Sequence, residues 1–235
     1  MIEMHNVSKV FRTDVVQTHA LRDLSLKVEP GEFVAITGHS GSGKTTFLNV
    51  AGLLEELDGG RYTFDGQDVS RLTDNQRSGI RSEKIGFIFQ GFNLIPDLNV
   101  YHNVEAPLYY RRMSGPEQHR RITAALDRVG LSTRTKHIPA QLSGGQQQRV
   151  AIARAICGDP RVILADEPTG NLDTTMSEQI MDLLLEINAA GTTILMVTHN
   201  PELAQRVHRQ FHIVDGQIDQ IHQFKRFQAV TTAAV

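Results

Sequence analysis

Tryptophan is missing from this chain and cysteine occurs once, at Cys157, so no intramolecular disulfide can staple the fold. A hydrophobic core must do that work alone. With 235 residues, 40% of them hydrophobic, there is material for one large domain or for one domain built as two lobes. The apolar neighbours Ile152, Ala155 and Ile156 predict a buried, inert thiol in a reducing compartment, which points to the cytoplasm. No stretch approaches the ~20 apolar residues that span a bilayer, and Met1 to Lys9 lacks the long apolar run of a secretory leader. Work at a membrane is therefore expected to go through a partner. Charge of one sign is also lacking: the formal net charge is -2, which leaves no global positive field for nucleic acid or an anionic bilayer.

What the chain does have is a phosphate-binding loop. Gly38, His39, Ser40, Gly41, Ser42, Gly43, Lys44 and Thr45 follow an apolar run, Phe33 to Ile36, and precede a helix-capable stretch, Thr46 to Leu54. Strand, glycine-rich loop and helix are the setting in which backbone N–H groups curl around phosphate oxygens and the helix turns its positive end toward them. Lys44 supplies a cation for the outer phosphates, and Thr45 offers a hydroxyl to Mg²⁺. His39 sits at a permissive position of the loop.

Around that loop the pattern is α/β. Alternation in Ile2 to Val10 and Leu24 to Val28, then Pro30-Gly31, predicts short antiparallel strands and a turn, and Arg61 to Phe64 before Asp65-Gly66 predicts a hairpin. Apolar runs at Phe33 to Thr37, Ile85 to Phe89, Val162 to Ala165 and Thr193 to Thr198 do not alternate. They fit parallel strands covered on both faces. Between Gly91 and Pro160, Val104, Leu108, Ile122, Ala125, Leu126 and Val129 recur at three- and four-residue steps, as in an inserted helical lobe. A helix is predicted from about Ser177 to Ala189 and a strand over Phe211 to Val214. That strand argues against reading His208 and His212 as a helical metal pair. The terminal Ala229 to Val235 reads as frayed, and Phe224-Lys225-Arg226-Phe227 as a solvated tail.

Two further segments carry chemistry. Leu142-Ser143-Gly144-Gly145-Gln146 runs into a helix-like stretch to Cys157, and places a hydroxyl and exposed N–H groups at a helix N-terminus, a second anion site. Val162 to Ala165 ends in Asp166 and Glu167, which a parallel sheet would deliver at its carboxyl edge. Together with the loop at Gly38 to Thr45, these segments resemble the Walker A, signature and Walker B motifs of the ATP-binding cassette (ABC) ATPases. The resemblance covers about Ile2 to Ile218. The segments Ala165 to Asp173, Ser143 to Ala155 and Ile85 to Pro96 are most similar to the subgroup of macrolide-exporter, lipoprotein-releasing and cell-division ATPases.

That resemblance implies a fold: a P-loop NTPase (RecA-like) α/β core with an antiparallel β subdomain and an inserted helical lobe. A single domain would divide into a core (1–90 and 160–218), a helical lobe with the signature (91–159) and a tail (219–235). It also implies roles. ATP would be bound by Gly38 to Thr46, with Phe11 stacking on adenine where many relatives have tyrosine. Mg²⁺ would be held by Thr45, Gln90 and Asp166. Catalysis would use Glu167 on the attacking water, His199 at the γ-phosphate and Gln90. Ser143, Gly144, Gly145 and Gln146 would serve the nucleotide of a partner cassette, and Asp173 would cross to it. Each weaker residue has a plainer alternative: a polar strand end for Gln90, a structural histidine for His199, a turn for Asp173, core packing for Phe11.

The function implied is an ATP-hydrolysing subunit of a transporter, acting as a homodimer with ATP sandwiched between cassettes. It would drive a separate integral membrane permease from the cytoplasmic face of the inner membrane, in export or envelope remodelling, without nucleic acid. A DNA- or ribosome-directed member of the same family is the alternative, opposed by the short lobe without heptads and by the single P-loop. A P-loop GTPase or kinase is opposed by the signature. Two departures bear on the partner: Leu57-Asp58-Gly59-Gly60 where relatives have a Pro-Thr-Ser-Gly-like turn, and His102 where they have glutamate.

Overall fold

The computed structural model describes residues 1–13 and 15–224. Strands β1 (Ile2–Arg12) and β2 (Gln17–Val28) pair with β4 (Gly59–Phe64) and β5 (Gln67–Asp68) in an antiparallel sheet of order β2-β1-β4-β5. The second sheet contains β3 (Phe33–Thr37), β6 (Ile85–Ile88), β7 (Val162–Asp166), β8 (Thr193–Val197), β9 (Arg209–Val214) and β10 (Gln217–Gln223). Its order is β10-β9-β3-β8-β7-β6, parallel except for the β9–β10 hairpin.

The central strands are buried on both faces, as their unbroken apolar runs predict, and pleating divides them between two cores. Phe33 and Ala35 of β3, with Ile194 and Met196 of β8, face the helical side. There they meet α5 (Gly144–Ile156), α6 (Thr174–Ala189) and the lobe helices α3 (Val100–Glu105) and α4 (Gly115–Arg128). Val34 and Ile36, with Leu195 and Val197, face α1 (Lys44–Ala51) and the antiparallel sheet, through Phe47, Tyr62 and Phe64. The expected hairpin turns at Asp65 and Gly66, both with positive φ, which matches the twist of the strands it joins.

Several expectations change in detail. The antiparallel strands are long rather than short: β1 and β2 have 11 and 12 residues, with register shifts along β1 that break the alternation the sequence displays. A helix not foreseen, α2 (Asp74–Lys84), precedes β6; it buries Arg77 and packs only Ile80 against the core, so it shows no apolar stripe. Its signal was the capping pair Thr73 and Gln76, whose side chains close reciprocally on the helix start. Helix α6 starts at Thr174, three residues early, because Asp173 caps it.

The tail does not begin at 219. Residues Asp215 and Gly216 turn the chain and β10 runs to Gln223, because antiparallel pairing with β9 satisfies a backbone whose side chains are mostly exposed and polar. The Phe224 N–H donates to the His208 carbonyl at 3.0 Å. Lys225 to Phe227 and the segment Ala229 to Val235 lie outside the described residues. Among the described residues no helix is long and apolar enough to cross a membrane.

Candidate functional site

The loop between β3 and α1 is shaped by close backbone approaches. Gly43 has φ 105°, and a Cβ there would lie 2.4 Å from the Ala20 carbonyl oxygen of β2. Gly38 has φ 150°, and its Cβ would meet the Ile213 carbonyl of β9 at 2.2 Å. The β9–β10 turn seals the back of the loop: Gly216 N–H donates to the Ser42 carbonyl, and Arg22 N–H to the Gly216 carbonyl, each at 2.9 Å. Helix α1 starts at Gly43 without a side-chain cap, so no side chain competes for its first N–H groups. Lys44 folds back over the loop and its Nζ donates to the Gly38 and His39 carbonyls, both at 2.8 Å. The loop thus holds the Lys44 ammonium on its own carbonyls.

Across from the loop, β7 delivers the two carboxylates at the sheet edge. Asp166 pairs in register with Val197 of β8. Burial, then the neighbouring Glu167, push the Asp166 carboxyl above its ordinary pKa, and Lys44 works in the opposite direction. Glu167 takes a left-handed φ of 47° while its N–H donates to the Val197 carbonyl at 3.0 Å. That kink leaves its carboxylate beside the residues following β8, where Oε2 lies 2.8 Å from His199 Nδ1. The carbonyl of Gln90, just past β6, accepts from Asn171 Nδ2 at 2.9 Å, and its side chain lies against Gly170.

These elements open onto one cavity of about 810 Å³. Of the predicted site residues, Phe11, Gly38, His39, Ser40, Gly41, Gly43, Lys44, Thr45, Thr46, Gln90, Asp166, Glu167 and His199 border it. Ser42 does not; its hydroxyl is buried without a hydrogen-bond partner among the described residues. Phe11 is 41% exposed, which sets core packing aside, and Lys9 Nζ lies 5.3 Å from its ring centroid. Thr18, His19 and Arg22 of β2 also border the cavity, with Asp215 and Gly216 of the hairpin turn. Nothing in their local pattern marks them; only the strand pairing carries them there.

Thr45, Gln90 and Asp166 border the same cavity, and their side-chain oxygens are of the hard donor type that suits Mg²⁺. Among the described residues no group of three or more His, Cys, Asp or Glu could hold a metal by itself. His208 Nδ1 accepts from the Phe33 N–H and His212 Nδ1 pairs with the Thr37 hydroxyl, so both turn toward β3.

The signature lies elsewhere. Ser143 caps α5, its hydroxyl accepting from Gln146 N–H at 3.3 Å while Gln146 Oε1 accepts from Ser143 N–H at 3.0 Å. Ser143 to Gln146 do not border the cavity. Asp173 does not either: its carboxylate accepts from Met176 N–H at 2.8 Å as the cap of α6. Gln148, fully buried, ties the signature helix to the loop after Glu167 through the Pro168 carbonyl at 2.6 Å.

Residues 21–170 match the family model described as ABC transporter. A Bacillus subtilis protein described as an uncharacterized ABC transporter ATP-binding protein, YknY, is 46% identical over 218 residues, covering 93% of this chain and 95% of the relative. The macrolide export ATP-binding/permease protein MacB of Syntrophobacter fumaroxidans is 47% identical over 93% of this chain, which spans 31% of that longer protein. Among solved structures, the ATP-binding cassette MJ0796, in a dimeric post-hydrolysis state bound to ADP and Pi, superposes with a TM-score of 0.88. The two are 42% identical, with 97% of this chain and all of the other covered.

Proposed function

This chain belongs to the ABC transporter family as an ATP-binding subunit, and from that premise we propose that it hydrolyses Mg-ATP in a head-to-tail homodimer to drive a membrane permease. The observation that carries the hydrolytic part is the Glu167–His199 contact at 2.8 Å in the cavity that also holds Lys44, Thr45 and Asp166.

In this reading the nucleotide's phosphates sit on the N–H groups of Gly41 to Thr45, Lys44 swings from the two loop carbonyls to the β- and γ-phosphates, and adenine stacks on Phe11. Thr45, Gln90 and Asp166 hold Mg²⁺, which when bound supplies charge neutralisation on the phosphate oxygens. Glu167 orients a water toward the γ-phosphorus and takes its proton. The water oxygen bonds to phosphorus as the β–γ bridging bond breaks, leaving ADP and phosphate. His199 holds Glu167 before nucleotide arrives and turns to the γ-phosphate after.

Ser143 to Gln146 begin helix α5 outside their own chain's cavity, which supports their serving the cavity of a second copy. The permease is proposed as a separate subunit of a macrolide-exporter or envelope-remodelling type, with the cassette held at the cytoplasmic face of the membrane. The relatives named as macrolide exporters, and the near-full coverage of the stand-alone YknY, support that choice.

Mixing two defective chains tests the arrangement. Lys44→Ala should abolish tight mant-ATP binding, and Ser143→Arg should block the surface offered to the partner. In a mixed dimer both defects fall on one site and the other stays whole, so hydrolysis should reappear in the mixture though absent from either variant alone. Verified mixed dimers without recovery would refute independent composite sites.

A further inference from the structure

Residues 90–95 carry the chain from the core into the helical lobe through two left-handed residues, one of which has a side chain that disfavours that conformation. Phe92 has φ 61° and Asn93 φ 49°. Asparagine tolerates the left-handed region, but a bulky aromatic residue enters it only where its surroundings impose it. Arg154, near the end of the signature helix α5, reaches both residues: Nη2 donates to the Phe92 carbonyl at 2.8 Å and Nη1 to the Asn93 carbonyl. The guanidinium is partly buried, and among the described residues no carboxylate pairs with it. Burial lowers its pKa, so two loop carbonyls are what hold this cation in place.

The same segment meets the hydrolytic machinery on its other side. The Gln90 carbonyl accepts from Asn171 Nδ2 and its side chain lies against Gly170, both in the loop that follows Glu167. The Phe92 ring lies 3.8 Å from where a Cβ of Gly144 would stand, at the start of the signature helix. Beyond the clamp, the Ile95 N–H is anchored on Asn103 Oδ1 at 2.7 Å. This short segment is thus bonded to α5 through Arg154 and lies near the start of the same helix at Gly144, while its first residue reaches the cavity.

We propose that Arg154 is a positioning residue for hydrolysis: by holding Phe92 and Asn93 left-handed it sets where Gln90 sits in the cavity and makes the segment move with the signature helix as one body. The inference rests on the ATPase reading above. Nucleotide affinity, which depends on the loop at Gly38 to Thr46, is not its province.

The test uses the chain in Arg154→Gln, which removes charge and fork, and in Arg154→Lys, which keeps the charge but loses the planar fork. Arg154→Gln should lower kcat for Mg-ATP about tenfold or more and leave mant-ATP affinity within about threefold, with Arg154→Lys between. Amide exchange across residues 90–95 should quicken by about tenfold or more. In a Gln90→Ala background, Arg154→Gln should change kcat by less than about threefold, because the residue acts through Gln90. Losses that multiply, an unchanged kcat, or unchanged exchange would overturn the proposal. If Arg154→Gln does not fold, Arg154→Lys carries the same comparisons, and failure of both to fold assigns Arg154 to the fold alone and overturns it. Absence of Lys44-dependent turnover in the unmodified chain would refute the ATPase reading itself, and the exchange measurement would still judge the clamp.

Discussion

Replacing Gly43 by alanine separates two costs that the phosphate loop carries. The residue has φ 105°, and forcing an L side chain into left-handed backbone costs about 1–2 kcal/mol. Its new Cβ would also stand 2.4 Å from the Ala20 carbonyl oxygen, a backbone atom of β2 that cannot swing aside. Displacing that strand edge adds about 1–3 kcal/mol. The sum is about 2–5 kcal/mol, and a chain of this size loses about 2–4 °C of melting temperature per kcal/mol, so the fall should be about 4–20 °C. Gly41→Ala is the control. Its φ of 80° carries the conformational cost, yet no atom lies within 4 Å of the added Cβ, so about 2–8 °C is expected. Thermal unfolding followed by circular dichroism measures both variants, and mant-ATP titration should show Gly43→Ala binding the more weakly, because the displaced loop mis-aims its amides. Equal melting temperatures for the two variants would refute the argument that the Ala20 carbonyl shapes the loop.

Glu167→Gln should keep mant-ATP binding and slow turnover by ~10² to 10⁴; size-exclusion chromatography should then find it as an ATP-dependent dimer, and near-normal hydrolysis would exclude it as the base. Asp166 has its carboxyl pKa raised in the folded chain, so the folded state holds that proton more tightly and stability falls as pH rises through the raised value. At pH 7 the nucleotide-free Asp166→Asn chain should therefore melt higher than the unmodified chain, and the gap should close on acidification; a lower melting point contradicts the burial account. Burial pushes the Cys157 thiol up to about 12, so Ellman's reagent at pH 8 should label the chain only after denaturant is added.

The family motifs were legible in the sequence because each is local. Lys44 and Thr45 follow their glycines directly, Asp166 and Glu167 end their own strand, and Ser143 and Gln146 cap a helix three residues apart, so spacing alone specifies what each can do. The parallel strands were legible for a related reason: burial on both faces demands unbroken apolar runs, and Phe33 to Ile36 is one. Helix α2 was not, because it buries an arginine and turns a single apolar residue, Ile80, to the core. Strand β10 was not, because backbone pairing with β9, rather than its polar side chains, makes it a strand.

Only the tertiary structure decided which residues meet. Thr18, His19 and Arg22 line the cavity because β2 passes behind the phosphate loop, and Glu167 reaches His199 because β7 and β8 are neighbours separated by a whole helix in sequence. Asp173 shows the limit from the other side: its motif suggested a role across an interface, and within the chain its carboxylate caps α6. A motif records what a few adjacent residues can bind; long-range strand order and backbone approach, which no local spacing encodes, determine whether their side chains share one cavity or face away from it.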